Sequence, residues 1–162
     1  MEERLLTRVA VFVVLQNAQG EVLLQQRGPN GYLGGYWDFP SGHGEFGEDV
    51  RTTAIRELNE EVGLVGKPED LRLIHIEQYF IEENYINFVF ALDSWSGTPK
   101  VCEPDKCSAV GWFAMDALPE KCVNAVRSVE RRGLGKELSY SITDRESYAV
   151  IMGEPFRSYR KG

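Results

Sequence analysis

Three glutamates on one predicted helix are the side chains of this chain best suited to chemistry. Glu60 and Glu61 follow Glu57 by three and four residues, so the three carboxylates lie on one side of a helix. Carboxylates at these spacings repel each other, and a cation would offset the repulsion. Hard divalent cations such as Mg²⁺ prefer oxygen ligands, and a bound Mg²⁺ orients phosphate oxygens and lowers the pKa of a coordinated water. The spacing therefore favours a magnesium site that acts on phosphate groups.

A solvated helix face is the alternative interpretation of the same residues. Arg56 lies four residues before Glu60, a spacing at which opposite charges pair on exposed helices. The segment before the helix favours the metal, because seven glycines fall from Gly28 to Gly47. Such loops bring backbone close to a ligand, and a helix N-terminus offers free N–H groups to anions. From the residues alone both interpretations stay open.

The helix that carries the glutamates is predicted over residues 49–62. Its apolar face is formed by residues at helical spacing, namely Val50, Ala54, Ile55, Leu58 and Val62. Gly63 is placed to end the helix as its C′ residue. Glu61 overlaps the edge of the apolar face, so its charge is partly sheltered from water.

Further elements are predicted on both sides of this helix. Strands over 9–15 and 21–26 are expected to form a hairpin around the turn 17–20. Later strands are predicted over 71–80, 85–93 and 109–114, and a second helix over 120–132. This order of elements indicates an α+β fold in which helices pack on a sheet.

Composition limits the classes of partner. The length of 162 residues and the 43% apolar content fit one globular domain, 1–162, without repeats or linkers. A net charge of −7 disfavours long nucleic acid and anionic membranes as partners. The longest apolar run, residues 9–15, is too short to cross a bilayer, and no N-terminal stretch resembles a signal peptide. We expect a cytoplasmic monomer or homodimer.

Three cysteines without a Cys-x-x-Cys pair favour reduced thiols over a disulfide framework or a zinc site.

The glutamate helix belongs to a longer motif. The sequence Gly42-x5-Glu48-x7-Arg56-Glu57-Leu58-x-Glu60-Glu61-x-Gly63-Leu64 resembles the Nudix box at every defined position. Similarity to Nudix domains extends to Leu23-Leu24-x-x-Arg27, Trp37-Asp38-Phe39-Pro40 and Gly111-Trp112-Phe113-x-x-Asp116-x-Leu118-Pro119. It covers about residues 5–132 and leaves 133–162 as a C-terminal extension of unassigned role.

The resemblance to this MutT-like family implies a fold, a reaction and a cofactor. The fold is a Nudix-type α/β/α sandwich with a mixed β-sheet. The reaction is hydrolysis of a nucleoside diphosphate linked to another moiety, by attack of water at phosphorus. The cofactor is Mg²⁺, or Mn²⁺ in some members. Glu57, Glu60 and Glu61 carry over as metal ligands, together with the backbone carbonyl of Ser41, a position where glycine is common in the family.

The resemblance also implies roles for residues around the box. Glu48 and Arg56 resemble the pair that braces the loop against the helix, and Gly42 allows a tight fold of the chain. The general base comes either from the box glutamates or from a later loop, where Glu103 is the candidate; a plain surface acid is the alternative for Glu103. The predicted substrate-binding residues are Arg27, Trp37, Phe39 and Tyr79.

The substrate is less closely defined. Tyr32, Tyr36 and Trp37 are candidates to stack on a base, or alternatively to anchor the core, and stacking would suit a nucleoside triphosphate. Where ADP-ribose hydrolases often have proline, this chain has Tyr79 and Phe80; a tyrosine there resembles dinucleoside polyphosphate hydrolases. A non-catalytic nucleotide-binding or protein-interaction module with the same fold is the alternative to an enzyme. A decapping role on mRNA is disfavoured by the sequence pI near 4.9.

Overall fold

The computed structural model describes residues 4–158 as eight strands, three α-helices and one 3₁₀ helix. The strands are β1 (Arg8–Leu15), β2 (Val22–Arg27), β3 (Trp37–Asp38), β4 (Ser41–His43), β5 (Leu71–Phe80), β6 (Asn84–Leu92), β7 (Cys107–Phe113) and β8 (Ser139–Thr143). The helices are α1 (Val50–Val62), α2 (Asn124–Arg132) and α3 (Arg145–Met152), with the 3₁₀ helix at Pro68–Asp70. None of the described helices is long and apolar enough to cross a membrane.

The strands form two sheets. The larger has the order β4-β1-β6-β5-β8 and is mixed, because β1 runs parallel to β6 and β5 runs parallel to β8. The smaller has the order β3-β2-β7 and is antiparallel. Successive side chains of a strand point to opposite faces, so Val13 packs on the α1 side and Val14 on the α2 side. Buried side chains on both faces confirm the predicted sandwich with a mixed sheet.

Helix α1 forms as its sequence predicts. Asp49 is the N-cap, and its side chain accepts hydrogen bonds from the backbone N–H groups of Arg51 and Thr52. Gly63 ends the helix in the left-handed region, at φ 73°, where the absence of a Cβ removes the steric cost. Ala54, Leu58 and Val62 are fully buried and pack against β1 and β2. The glutamates between these apolar positions therefore face the edge of the sandwich.

The predicted hairpin between the first two strands is wrong. Asn17 closes a turn, since Gly20 donates to its carbonyl oxygen, but beyond this turn only an isolated bridge between Gln16 and Val22 joins the segments. The backbone of β1 is already paired on both sides, with β4 and β6. β2 therefore starts the second sheet between β3 and β7.

The second helix begins later than predicted, at Asn124 in place of residue 120. The preceding residues pair with Trp37, whose N–H donates to the carbonyl of Lys121 and whose carbonyl accepts from Val123. These bonds hold residues 121–123 extended, so the chain cannot enter the helix before Asn124. The tertiary pairing overrides the helical spacing of the apolar residues.

The C-terminal extension continues the larger sheet. β8 pairs in parallel with β5, and α3 follows after Asp144, whose side chain caps the helix. His75 on β5 is 2% exposed and lies between two hydroxyl groups of β8: Nδ1 is 2.7 Å from Ser139 Oγ and Nε2 is 2.8 Å from Ser141 Oγ. The extension is thus fixed to the sheet through a buried imidazole.

Acidification should weaken this attachment. Burial lowers the pKa of His75 to about 4, with the charge of Arg132 acting in the same direction. An unfolded chain takes up this proton near pH 6.5, so between pH 6.5 and 4 the unfolded state binds more protons and stability falls as the pH falls. We expect the Tm of the native protein to exceed that of His75→Gln at pH 7.5 and the difference to shrink towards pH 4. A Tm difference between the two proteins that stays the same at all pH values would contradict this role of His75.

Candidate active site

Arg56 is the centre of the acidic face of α1. Its Nε donates to Glu48 Oε2 at 2.8 Å, and its Nη1 donates to Glu57 Oε1 at 2.9 Å and to Glu60 Oε2 at 3.2 Å. Hydrogen bonds from Arg56 and Thr53 lower the pKa of Glu48 to about 2. Arg56 also donates to the carbonyl of His43 at 3.1 Å. The guanidinium therefore ties β4 and the loop before the helix to α1, and it partly neutralises two of the three helical glutamates.

Gly42 is required for the position of Glu57. A Cβ atom added at Gly42 would lie 2.0 Å from the carboxyl carbon of Glu57 and 2.2 Å from Oε1. These distances are far below any van der Waals contact, so the Glu57 carboxylate rests directly on the backbone of β4. The strand and the helix can approach this closely only because residue 42 has no side chain.

Glu61 is the most enclosed of the three glutamates. Its Oε2 accepts hydrogen bonds from Gln25 Nε2 at 2.7 Å and from the backbone N–H of Ser41 at 2.9 Å. Burial raises its pKa to about 8, and the charges of Glu57 and Asp38 act in the same direction. Two more buried oxygens nearby, Gln25 Oε1 and Asp38 Oδ1, have no hydrogen-bond partner among the described residues. This part of the site therefore keeps two buried acceptor oxygens without a donor from the described residues.

The donor set fits a hard divalent cation. Glu57, Glu60, Glu61 and the carbonyl of Ser41 supply only oxygen, which Mg²⁺ and Mn²⁺ accept. Among the described residues, the hydrogen bonds to the Glu61 carboxyl come from an amide and a backbone N–H group and none comes from a cationic side chain. Within residues 4–158, no three acidic, histidine or cysteine side chains are already arranged to hold an ion together. Glu57 and Glu60 instead face Arg56. Each of these two carboxylates engages Arg56 through one oxygen, which leaves its second oxygen to bind an ion.

Two adjoining pockets open beside Ser41, and of the three box glutamates only Glu61 lines one of them. The acidic pocket, of about 380 Å³, includes Glu61, Glu103, Asp105 and Lys106 in its lining. The aromatic pocket, of about 420 Å³, lies over the larger sheet; its lining includes Phe12, Tyr79, Tyr85, Asn87, Asn124 and Phe156. Arg27, Tyr32 and Ser41 line both pockets, so the two spaces meet at these residues.

Arg27 holds the junction between the pockets. Its Nη2 is 2.7 Å from Asp38 Oδ2, its Nη1 donates to the carbonyl of Tyr32 at 3.2 Å, and its guanidinium lies 5.5 Å from the centre of the Tyr32 ring. Burial raises the pKa of Asp38, although the charge of Arg27 opposes that shift. The ion pair with Asp38 holds Arg27 at the junction of the two pockets, where it would contact a ligand that extends into both.

Comparison with known proteins assigns this arrangement to a family. A family model described as NUDIX domain matches residues 6–131. The chain belongs to the Nudix family. It is therefore a hydrolase that acts on phosphoric anhydride bonds, as the box predicts, and proteins of this family use a divalent metal ion.

Named relatives fall into two groups. The chain is 30% identical over 110 residues to the 8-oxo-dGTP diphosphatase of Escherichia coli (strain K12), a match that covers 65% of this chain and 84% of that protein. It is 33% identical over 115 residues to an RNA pyrophosphohydrolase of Actinobacillus pleuropneumoniae serotype 3, covering 70% of this chain and 50% of that protein. The chain thus spans only half the length of the second relative.

A solved structure has the same fold. The MutT NUDIX hydrolase from Burkholderia pseudomallei superposes with a TM-score of 0.72 at 28% sequence identity, covering 79% of this chain and 98% of that chain. The family match ends at residue 131, so the C-terminal extension lies outside it.

Most of the Nudix residues predicted for the site come together. Glu103 lines the acidic pocket with Glu61, and its carboxylate is 2.8 Å from Lys106 Nζ. Ser41 lies at the junction of the two pockets, and Arg27 beside it. Tyr79 lines the aromatic pocket, where burial raises the pKa of its phenol and a hydrogen bond with Tyr32 acts in the same direction.

Two predicted substrate-binding residues lie elsewhere. Phe39 is 0% exposed and packs in the core on the α2 side, so its side chain is withdrawn from the substrate-binding set. Trp37 packs edge to face on Phe113, with ring centres 4.8 Å apart, and lines neither described pocket. Trp37 lies in β3 and Phe39 directly follows this strand, two residues before Ser41.

Sequence reasoning missed several residues that line the pockets, among them Gln25, Asn87 and Phe156. Asn87 had a usable signal, because it is a lone amide in the otherwise apolar and aromatic segment 85–92. Gln25 and Phe156 had none, since only the sheet pairing and the folded extension bring them to the Nudix site.

Proposed function

We propose that this protein hydrolyses a nucleoside triphosphate or a closely related nucleotide, with Mg²⁺ as its ion. The observation that carries the proposal is the meeting of the aromatic and acidic pockets at Arg27, Tyr32 and Ser41. A nucleotide has the same two parts, a flat apolar base and a chain of phosphates that binds metal ions. The volume of the aromatic pocket, about 420 Å³, is within the usual range for small-molecule sites.

The acidic pocket would hold the reacting phosphates. Glu57, Glu60, Glu61 and the Ser41 carbonyl would bind the ion, which when bound shields phosphate charge and activates water. Lys106 lines this pocket and lies close to Glu103, where its ammonium group can contact a phosphate oxygen. Local cations matter because the net charge of −7 repels an anionic substrate from the bulk surface.

Glu103 is proposed as the general base. Its carboxylate accepts a proton from the attacking water while oxygen bonds to phosphorus and the bridging oxygen leaves with the departing phosphate. Its place in the acidic pocket together with Glu61 supports the role, and Lys106 at 2.8 Å orients it.

Glu103→Gln should lower kcat about 10²-fold, because a positioned base contributes roughly 10² to 10⁴ in rate and box residues can take over in part. Asp105→Asn is the matched control, since Asp105 lines the same pocket but is exposed. Magnesium affinity, measured by calorimetry, should be unchanged in both variants. If Glu103→Gln had the same kcat as the native protein, Glu103 would not be the general base, and one of the box glutamates would take this role.

The function is tested with a substrate panel in the presence of Mg²⁺. The panel contains the nucleoside triphosphates, 8-oxo-dGTP, ADP-ribose, diadenosine polyphosphates and RNA with a 5′-triphosphate, and the phosphate products are quantified. We expect triphosphates to be cleaved fastest. The relatives named RNA pyrophosphohydrolase justify the RNA, but the acidic charge of the chain predicts slow turnover of it. No turnover of any nucleotide would overturn the proposal.

A further inference from the structure

The C-terminal extension reaches the aromatic pocket, although it lies beyond the part of the chain that the family match covers. β8 pairs with β5 in the register His75 with Ser139 and Tyr79 with Thr143. Tyr79 in turn pairs with Tyr85 on β6. Residues that pair across neighbouring strands lie on the same face of the sheet. Thr143 therefore shares a face with Tyr79 and Tyr85, two tyrosines that line the aromatic pocket.

A buried chain of hydrogen bonds connects this strand to the pocket lining. The hydroxyl of Thr143 donates to Glu77 Oε1, and Glu77 Oε2 accepts from Asn87 Nδ2 at 2.8 Å. Thr143, Glu77 and Asn87 are 1%, 4% and 7% exposed. Because Glu77 engages one N–H group of the Asn87 amide, the amide group is held in one orientation, and among the described residues Oδ1 stays available as an acceptor beside the second N–H group. Asn87 therefore presents a fixed acceptor to the pocket.

The same extension supplies an aromatic ring to the pocket. Phe156 follows α3 and lines the pocket that Tyr32 and Tyr79 also line. Tyr148 of α3 packs edge to face against Phe156, with ring centres 5.3 Å apart, and the Arg145 guanidinium lies 5.4 Å from the centre of the Phe156 ring. Phe156 is thus placed by contacts made within the extension.

We propose that residues 133–158 complete the base-binding end of the aromatic pocket and determine base preference. Phe156 packs against the base, Asn87 Oδ1 accepts a hydrogen bond from a base N–H group, and Thr143 is a positioning residue that acts through Glu77. The preferred base therefore presents an N–H donor on the edge that faces β6. The inference rests on the proposed nucleotide function, but it is tested by binding without hydrolysis.

The first test measures binding of the four deoxynucleoside 5′-monophosphates, and of deoxyribose 5-phosphate, by calorimetry without metal. The native protein should bind one base most tightly. Phe156→Ala should weaken that binding about tenfold, because stacking of a base on an aromatic ring contributes on this scale. Phe156→Leu keeps apolar bulk and should lose part of the affinity. Val150→Ala, at an exposed site of α3, is the control and should bind as the native protein does.

The second test separates positioning from packing. Thr143→Val removes the hydroxyl at nearly constant volume, and Thr143→Ser keeps it. Discrimination between the best and second-best base should fall about fivefold in Thr143→Val, as expected for one hydrogen bond, and recover in Thr143→Ser. Affinity for deoxyribose 5-phosphate should not change in either variant. With the preferred triphosphate, KM should rise in Thr143→Val and kcat should stay constant.

Two results would overturn the inference. The first is that the native protein binds the four monophosphates with equal affinity, or binds none of them more tightly than deoxyribose 5-phosphate. The other is folded Phe156→Ala and Thr143→Val protein that keeps the native affinities and base preference. Base-selective binding of monophosphates that depends on Phe156, found together with no cleavage in the substrate panel, would instead support the inference and overturn the enzymatic proposal alone.

Discussion

Replacement of Glu61 by glutamine is expected to lower the hydrolysis of the preferred nucleotide about 10³-fold while the fold is retained. The amide keeps an oxygen for the hydrogen bonds from Gln25 and Ser41, so the local structure needs no rearrangement. It removes the negative charge that an oxygen-ligated divalent ion requires. Loss of several kcal/mol of transition-state stabilisation by the ion corresponds to this factor.

The stability of the same variant provides an independent measurement. The pKa of Glu61 rises from 4.5 in the unfolded chain to about 8 in the fold, chiefly through burial. Folding is therefore increasingly penalised as the pH rises from 4.5 to 8, because the unfolded state gives up this proton first. Glutamine does not titrate, so in metal-free buffer the Tm of Glu61→Gln relative to the native protein should rise across this range.

Glu69→Gln is the matched control for charge, since Glu69 is exposed in the 3₁₀ helix, outside the box, and lines neither described pocket. It should keep native activity. Native turnover in Glu61→Gln would show that the buried carboxylate serves only as a hydrogen-bond acceptor. A low activity that is accompanied by loss of the folded circular dichroism spectrum would be a structural effect and would leave the catalytic role of Glu61 unsupported.

The parts of the fold that the sequence predicts are those with local causes. Helix α1 begins at its Asp49 cap and ends at Gly63 because both ends depend on neighbouring residues. The pairing of strands depends on distant segments, and there the prediction fails. The turn at Asn17 exists, yet β1 takes β4 and β6 as partners and leaves β2 to another sheet.

The site shows the same division. The three glutamates share one face because a helix spaces them, and the box alone is enough to predict that arrangement. Motif membership does not reveal burial: the segment Trp37-Asp38-Phe39-Pro40 predicts that Phe39 binds substrate, whereas its side chain lies in the core. Thr143 and Glu77 are 66 residues apart, and only the parallel pairing of β8 with β5 connects them.

Gly42→Ala should lower activity about 10²-fold. The new methyl group would occupy the position 2.0 Å from the carboxyl carbon of Glu57, and the backbone of β4 is fixed by its pairing with β1. The Glu57 side chain must therefore move by about the length of a bond. A displacement of about 1 Å in a catalytic group is enough for a loss of this size.

Gly44→Ala is the matched control two residues along the chain. A Cβ there would lie 3.6 Å from Thr53 Oγ1, an ordinary contact, so activity should stay near native. Kinetics at a series of Mg²⁺ concentrations should show a raised magnesium requirement for Gly42→Ala alone, because the displaced carboxylate is a predicted ligand. If Gly42→Ala had a native kcat and magnesium dependence, Glu57 would not be a ligand, and its place against β4 would serve only the salt bridge with Arg56.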